Sequence, residues 1–140
     1  MKVTAERKRA RAASRFLWNG LTRYNLKAGG PFRYTRRVLT IRGDRGRILG
    51  GVILRSYWKE TFVELLWLSP LARRRGYGRL LMAEAERRAR RRGSRLMHLD
   101  TYSFQAPGFY EKLGFRRFGR IRGSPRGASR NYYVKRLGKA

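Results

Sequence analysis

Residues 78–92 read GRLLMAEAERRARRR, in which Leu81, Ala85 and Ala89 form one apolar stripe while arginines occupy the remaining faces. That pattern specifies an amphipathic helix, and a helix so charged on its other sides must lay its stripe on an apolar surface built elsewhere in the chain. Glu84 with Arg88 and Glu86 with Arg90 stand four apart in the favourable order, each pair worth only ~0.2–0.5 kcal/mol. They do not offset so much like charge. Gly93 ends the helix.

The surface that receives this helix is expected from strands. Residues 38–42 and 48–56 are β-branched-rich runs around Gly43-Asp44-Arg45-Gly46, which reads as a hairpin with a glycine-bearing turn. Residues 61–68 form a third apolar run that stops at Ser69-Pro70. Ahead of them, Leu17, Leu21 and Tyr24 recur three or four apart, which predicts a helix over 14–27 closed by Gly29, Gly30 and Pro31. After the central helix come a strand over 95–101, a short helix over 106–113 with Gly114 as its left-handed cap, and strands over 115–121 and 132–137. The expected order is helix, three antiparallel strands, helix, strand, helix, two strands. A basic arm over 1–13 precedes one domain over 14–140.

Composition removes whole classes of function. At 140 residues the chain fits one ordinary domain, and 41% apolar residues suffice for a core. It has no cysteine and one histidine, His98, so disulfide scaffolds, zinc ribbons, iron–sulfur sites, thiol nucleophiles and most other metal cages are excluded. No metal is expected. No run approaches the ~18 apolar residues of a membrane span. The run Phe16, Leu17, Trp18 is too short for a secretory core, which points to the cytoplasm; an Arg-rich, acid-poor organellar leader stays open.

One loop carries a chemical signal. Residues 68–81 read LSPLARRRGYGRLL, a strand passing through a basic glycine loop into the strongest helix. Helix N-termini present unpaired N–H groups and about half a positive charge, and glycine lets backbone approach a phosphate closely. No Gly-Lys-Ser/Thr follows, so it is not a Walker loop, and G-x-G-x-x-G is incomplete. Spacing alone leaves a pyrophosphate site and a plain glycine-bearing helix start both open.

Arg73-x-x-Gly76-x-Gly78 resembles the acetyl-CoA loop of the GNAT superfamily of N-acetyltransferases, and Phe109-Tyr110-Glu111-Lys112-Leu113-Gly114-Phe115 is similar to that superfamily's late FYEKLGF segment. The likeness spans roughly 14–138. It implies a single α/β domain with a twisted, mixed, mostly antiparallel sheet flanked by helices, and acetyl-CoA as cofactor. By the same resemblance, Arg73, Arg74, Arg75, Gly76, Tyr77, Gly78, Arg79 and Leu80 form the loop whose amides hold the CoA pyrophosphate. Pantetheine lies along Leu66, Trp67 and Leu68, where a bulge splays the strand from its neighbour and frees an N–H for the thioester oxygen. Tyr110 is implied as the proton donor to the departing thiolate and Glu64 as the base toward the amine. Read from the residues alone, Tyr110 is also a core aromatic and Glu64 an arginine-paired strand residue. Asp100 and Thr101 either shape the acceptor pocket or cap the following turn. His98 reads as packed, and Trp18, Tyr24 and Trp67 as core or pocket lining.

Thirty-six lysines and arginines against eight carboxylates give a net charge of +28, which the resemblance does not explain. Three origins fit it: work on or within an RNA–protein particle such as a ribosome, with the alternative of a non-catalytic subunit that keeps the fold and binds RNA through its arginine-rich surface; steering of anionic ligands to a free enzyme; or an engineered surface. The acceptor amine is expected to be neutral or anionic, or embedded in an RNA–protein particle, and not a free polycation, which the field repels. If RNA is a biological partner, filter binding across a salt series will show a steep loss of affinity together with retained preference for one RNA over excess competitor. A steep loss without preference marks a nonspecific polycation.

Overall fold

The computed structural model describes residues 3–138. By contacts the chain forms two units, residues 1–32 and residues 33–140. The N-terminal unit is one helix, α1 (Ala10–Gly29), closed by Gly30 at φ 72°, whose N–H donates to the Leu26 carbonyl at 3.1 Å. It starts inside the expected basic arm. Ala10, Arg11, Ala12 and Ala13 are strong helix formers, so propensity carries the helix upstream of the apolar stripe that marks it.

The second unit contains β1 (Thr35–Arg42), β2 (Ile48–Tyr57), β3 (Glu60–Leu68), α2 (Tyr77–Arg92), β4 (Leu96–Tyr102), α3 (Pro107–Lys112), β5 (Arg116–Ser124) and β6 (Ala128–Arg136). With α1 this is the expected order of elements. The strands make one six-stranded sheet, ordered β1-β2-β3-β4-β6-β5. Every neighbouring pair is antiparallel except β3 and β4. The chain is an α/β protein with a mixed, mostly antiparallel sheet.

One face of the sheet carries the core. Val52 and Leu54 of β2, Val63 of β3, Met97 and Leu99 of β4 and Tyr133 of β6 pack with Leu81, Met82, Ala85 and Ala89 of α2. The stripe read from the sequence is therefore the buried seam of α2. Its small alanines let the helix lie close on the sheet: Ala85 is 0% and Ala89 2% exposed. The charged faces do as their spacing suggests, Glu84 meeting Arg88 at 2.6 Å and Glu86 meeting Arg90 at 2.8 Å. Glu84 also takes Arg87, and Glu86 takes Lys135 of β6 at 2.6 Å, tying helix to sheet.

The parallel pair is short. Only Glu60, Thr61 and Phe62 pair with Leu96, Met97 and His98 before β3 and β4 part. At the joined end a buried chain of hydroxyls links three elements: Thr61 Oγ1 lies 2.8 Å from Ser56 Oγ of β2 and 2.8 Å from Ser94 Oγ beyond α2. Backbone bonds from Arg95 N to Lys59 O and from Leu137 N to Arg95 O, at 2.7 and 2.8 Å, close the same end. On β3 the register against β2 slips, Val63 facing Leu54 and Leu65 facing Ile53, so Glu64 is the extra residue of a bulge. The strand turns away from β4 from there on.

Removing the middle hydroxyl orphans both outer ones. Thr61→Val, which keeps the shape, should cost ~1–3 kcal/mol in urea unfolding. Adding Ser56→Ala and Ser94→Ala should not deepen the loss in the same proportion, because the unsatisfied partners are then gone. A strictly additive series would show that the chain of hydroxyls is not what the site contributes.

Candidate active site

Parting strands leave a cleft of 740 Å³ between Val63–Leu68 of β3 and the Asp100–Tyr102 end of β4, closed by Arg73, Gly78, Phe109 and Tyr110. Its walls come from both sheet faces. Leu66 faces Val52 and, with Leu68, packs against the core, whereas Leu65 and Trp67 face Ile53 and Gly51 on the other side and are about half exposed. Along β3 beyond Phe62 the backbone has no strand on its β4 side, so its polar groups face the cleft.

The mouth is formed by the loop into α2. Arg73 Nε donates to the Leu68 carbonyl at 3.1 Å and folds the loop back on the strand it leaves. Arg74 at φ 58° and Gly76 at φ 78° are left-handed, and Gly76 is the N-cap of α2. A left-handed residue followed by a helical one turns successive N–H groups to one side, an anion-binding nest. The first helical bond runs from Leu80 N to Gly76 O at 3.0 Å, so the amides of Tyr77, Gly78 and Arg79 precede the helix's own donors. A Cβ on Gly76 meets nothing within 4 Å, whereas one on Gly78 stands 3.2 Å from the Phe109 ring. Gly76 is thus set by backbone hand and Gly78 by the close approach of α3. Arg74, Arg75, Gly76, Tyr77, Arg79 and Leu80 lie on this rim, and Leu66, Trp67, Leu68, Arg73 and Gly78 line the cleft itself.

Tyr110 is both core and site. It is 8% exposed, packs edge-on to Phe109 and Phe115 at 5.2 and 6.0 Å, and lines the cleft. Burial, and secondarily the negative charge of Asp100, push its phenol up to about 12. It therefore keeps its proton throughout the neutral range.

Glu64 also lines the cleft, on the bulge. Its carboxylate stands 3.0 Å from Arg55 Nε and 3.9 Å from Arg36 Nε, so it is arginine-paired as well as cleft-facing. Asp100 lies across the cleft, its Oδ1 accepting from Arg130 Nε at 2.7 Å. Thr101 does not cap by itself; Gln105 Oε1 accepts from Thr101 Oγ1 and from Tyr102 N at 3.0 and 2.8 Å, so Gln105 secures the turn. Residue-by-residue reading did not single out Tyr102, Phe104 and Gln105, because their importance comes from the turn geometry. His98 packs against Phe62 with ring centroids 5.1 Å apart and planes tilted by 30°, and burial lowers its pKa despite Glu60 and Asp100. It is packed and neutral. Trp67 is not core, and Trp18 and Tyr24 belong to α1. Among the described residues no group of three or more metal-ligating side chains occurs, and no helix is long and apolar enough to cross a membrane.

Residues 7–115 match the model of the acetyltransferase (GNAT) family. Blasticidin-S acetyltransferase of Streptomyces morookaense is 40% identical over 96 residues, covering 68% of this chain and 71% of its own. An acetyltransferase of Agrobacterium fabrum is 30% identical over 125 residues, covering 89% and 91%. A crystal structure of an acetyltransferase from Bacillus cereus superposes with a TM-score of 0.87 at 30% identity, covering 98% of each chain. The chain belongs to the GNAT family of acetyltransferases.

The raised phenol has a stability consequence with a definite sign. Ionisation is easier in the unfolded chain, at 10.0, than in the fold, at about 12, so the contribution of Tyr110 is complete below pH 10 and is lost as pH climbs toward 12. In chemical unfolding over that window, wild type should lose stability relative to Tyr110→Phe, which has no proton to lose, as pH rises. Parallel curves would place Tyr110 in contact with water.

Proposed function

We propose that this enzyme transfers an acetyl group from acetyl-CoA directly to an amine, with the thioester in the fork between β3 and β4. The observation that carries the reading is the convergence on one cleft of a glycine-rimmed helix start, an unpaired strand edge and a buried, protonated Tyr110. The residues present suit CoA. The amides of 76–79 offer donors to its pyrophosphate, and the glycine at 78 keeps the cleft open beside Phe109. The apolar flank of Leu66 and Leu68 suits a pantetheine arm, whose thioester supplies an activated acetyl group.

The chain's own groups divide the remaining work. Backbone N–H along β3 past the bulge supports the carbonyl oxygen as charge develops on it. As the amine nitrogen bonds to the acetyl carbon and the carbon–sulfur bond breaks, Tyr110 Oη gives a proton to the sulfur. Glu64, directly or through water, takes the proton that the amine loses, and solvent returns one to Tyr110. Its two arginine neighbours fix the carboxylate's position on the cleft wall.

Charge narrows the acceptor. Glu64 and Asp100 both line the cleft, but each is matched by at least one guanidinium, and Arg73 adds another positive group. No net negative patch overrides the +28 field, so a free polycation is disfavoured. Blasticidin S, the compound named for the Streptomyces relative, is the first acceptor to test.

Calorimetry on nucleic-acid-free protein at moderate salt should show acetyl-CoA binding that exceeds binding of other polyanions and falls at least tenfold in Gly76→Glu, where a carboxylate enters the rim. Binding equal to that of any polyanion and unchanged in the variant would refute the cofactor site. Tyr110→Phe should lower kcat by ~10²–10⁴ with the Kd for acetyl-CoA unchanged. In an acceptor panel, spermine should be acetylated more slowly than singly charged or neutral amines; the reverse order would overturn the charge argument.

A further inference from the structure

On the β4 wall of the cleft the protein keeps a flat aromatic surface exposed on a well-bonded turn. Phe104 is 64% exposed, yet its ring lies 5.2 Å from Tyr102 with the two planes only 9° apart. The turn that carries it is pinned throughout. Gln105 accepts from Thr101 and Tyr102, Gln105 N donates to the Tyr102 carbonyl at 2.9 Å, and Ser103 and Ser129 exchange two bonds at 2.8 and 3.1 Å. A turn held this way does not present a large apolar ring to water through looseness. It holds the ring in place, and an exposed face that is already ordered costs no further entropy when a second ring covers it.

Beside this platform stands Asp100. Its Oδ1 is taken by Arg130, whose guanidinium lies 5.8 Å from the Tyr102 ring centroid and 5.6 Å from that of Tyr132. Boxed by two aromatics, the guanidinium holds the carboxylate in one orientation, with Oδ2 remaining for a donor in the cleft. Asp100 and Tyr110 line the same cleft, so a donor on Oδ2 sits in the cavity that holds the proposed acid.

We infer that Phe104, stacked on Tyr102, together with Asp100 forms the acceptor subsite, and that its ligand class is a planar-ring compound carrying an amine with at most a single positive charge. The ring lies on the free face of Phe104 and an N–H of the amine donates to Asp100; Arg130 is a positioning residue acting through Asp100. This rests on the acetyltransferase reading and specifies what that enzyme accepts.

Two probes of equal charge and similar size separate planarity from hydrophobicity: 2-phenylethylamine and 2-cyclohexylethylamine. Calorimetry with the full chain, alone and saturated with desulfo-CoA, should give at least fivefold tighter binding of the phenyl compound, and kcat/KM should follow the same order. Phe104→Ala should lower both measures about fivefold to tenfold for the phenyl amine and less than twofold for the cyclohexyl amine. Asp100→Asn should weaken both amines alike, with the Kd for acetyl-CoA unmoved in either variant. Equal affinity of the two amines in wild type, or equal loss of both in Phe104→Ala, overturns the inference while leaving acetyl transfer standing. Failure of wild type to bind acetyl-CoA sinks the acetyltransferase reading instead, and the calorimetry without CoA still scores the ring preference.

Discussion

Three residue pairs of parallel sheet govern this molecule. β3 and β4 are joined at Glu60–Leu96, Thr61–Met97 and Phe62–His98 and nowhere else. A parallel ladder that short has little strength of its own, so the hydroxyl chain of Ser56, Thr61 and Ser94 and the backbone bonds of Arg95 and Leu137 hold the junction closed. Because the junction is fixed and Glu64 bulges just beyond it, the two strands diverge and a cleft opens in the middle of a sheet. In an open α/β sheet such a crevice is where ligands bind, since backbone groups there lack partners. The placement of Tyr110, the rim of α2 and the Tyr102–Phe104 turn all take their meaning from that fork.

Charge is handled locally. Glu64, Glu84, Glu86 and Asp100 each hold an arginine, and Glu86 also holds Lys135. Two of these four carboxylates are spent on α2, where side-chain hydrogen bonds from Arg87 and Arg88 lower Glu84 to about 2. The other two line the cleft from opposite walls. Each of these two comes with a guanidinium that fixes where it points, so the cleft holds its acids without becoming a negative patch. The remaining arginines repel one another and any cationic visitor.

Much of this was legible beforehand. Helix α2 is announced by Leu81, Ala85 and Ala89, its end by Gly93, and the α3 cap by Gly114 at φ 86°, because each depends on local periodicity or backbone hand. Helix α1 begins earlier than its apolar stripe because propensity needs no stripe. The strands extend a residue or more past their hydrophobic runs, as Thr35, Tyr57 and Tyr102 show, because ladder partners recruit polar and aromatic residues that no pattern marks. The rim glycines were readable as a loop, but not their separate reasons: Gly76 answers to a left-handed φ and Gly78 to the Phe109 ring thirty-one residues away.

By itself the sequence determined the order of elements, the buried face of α2, the loop poised at its start and the overwhelming positive charge, all of which follow from spacing, local conformational preference and composition. Tertiary structure alone decided that Glu64 is the bulged residue and is gripped by Arg55, that Trp67 is turned to the cleft and not the core, and that Asp100, Arg130, Tyr102 and Phe104 make one assembly. The physical reason is register. Which residue of β2 faces which of β3, and where β4 ceases to follow, are settled by long-range pairing and packing. A slip of one residue would send every one of these side chains to the opposite face.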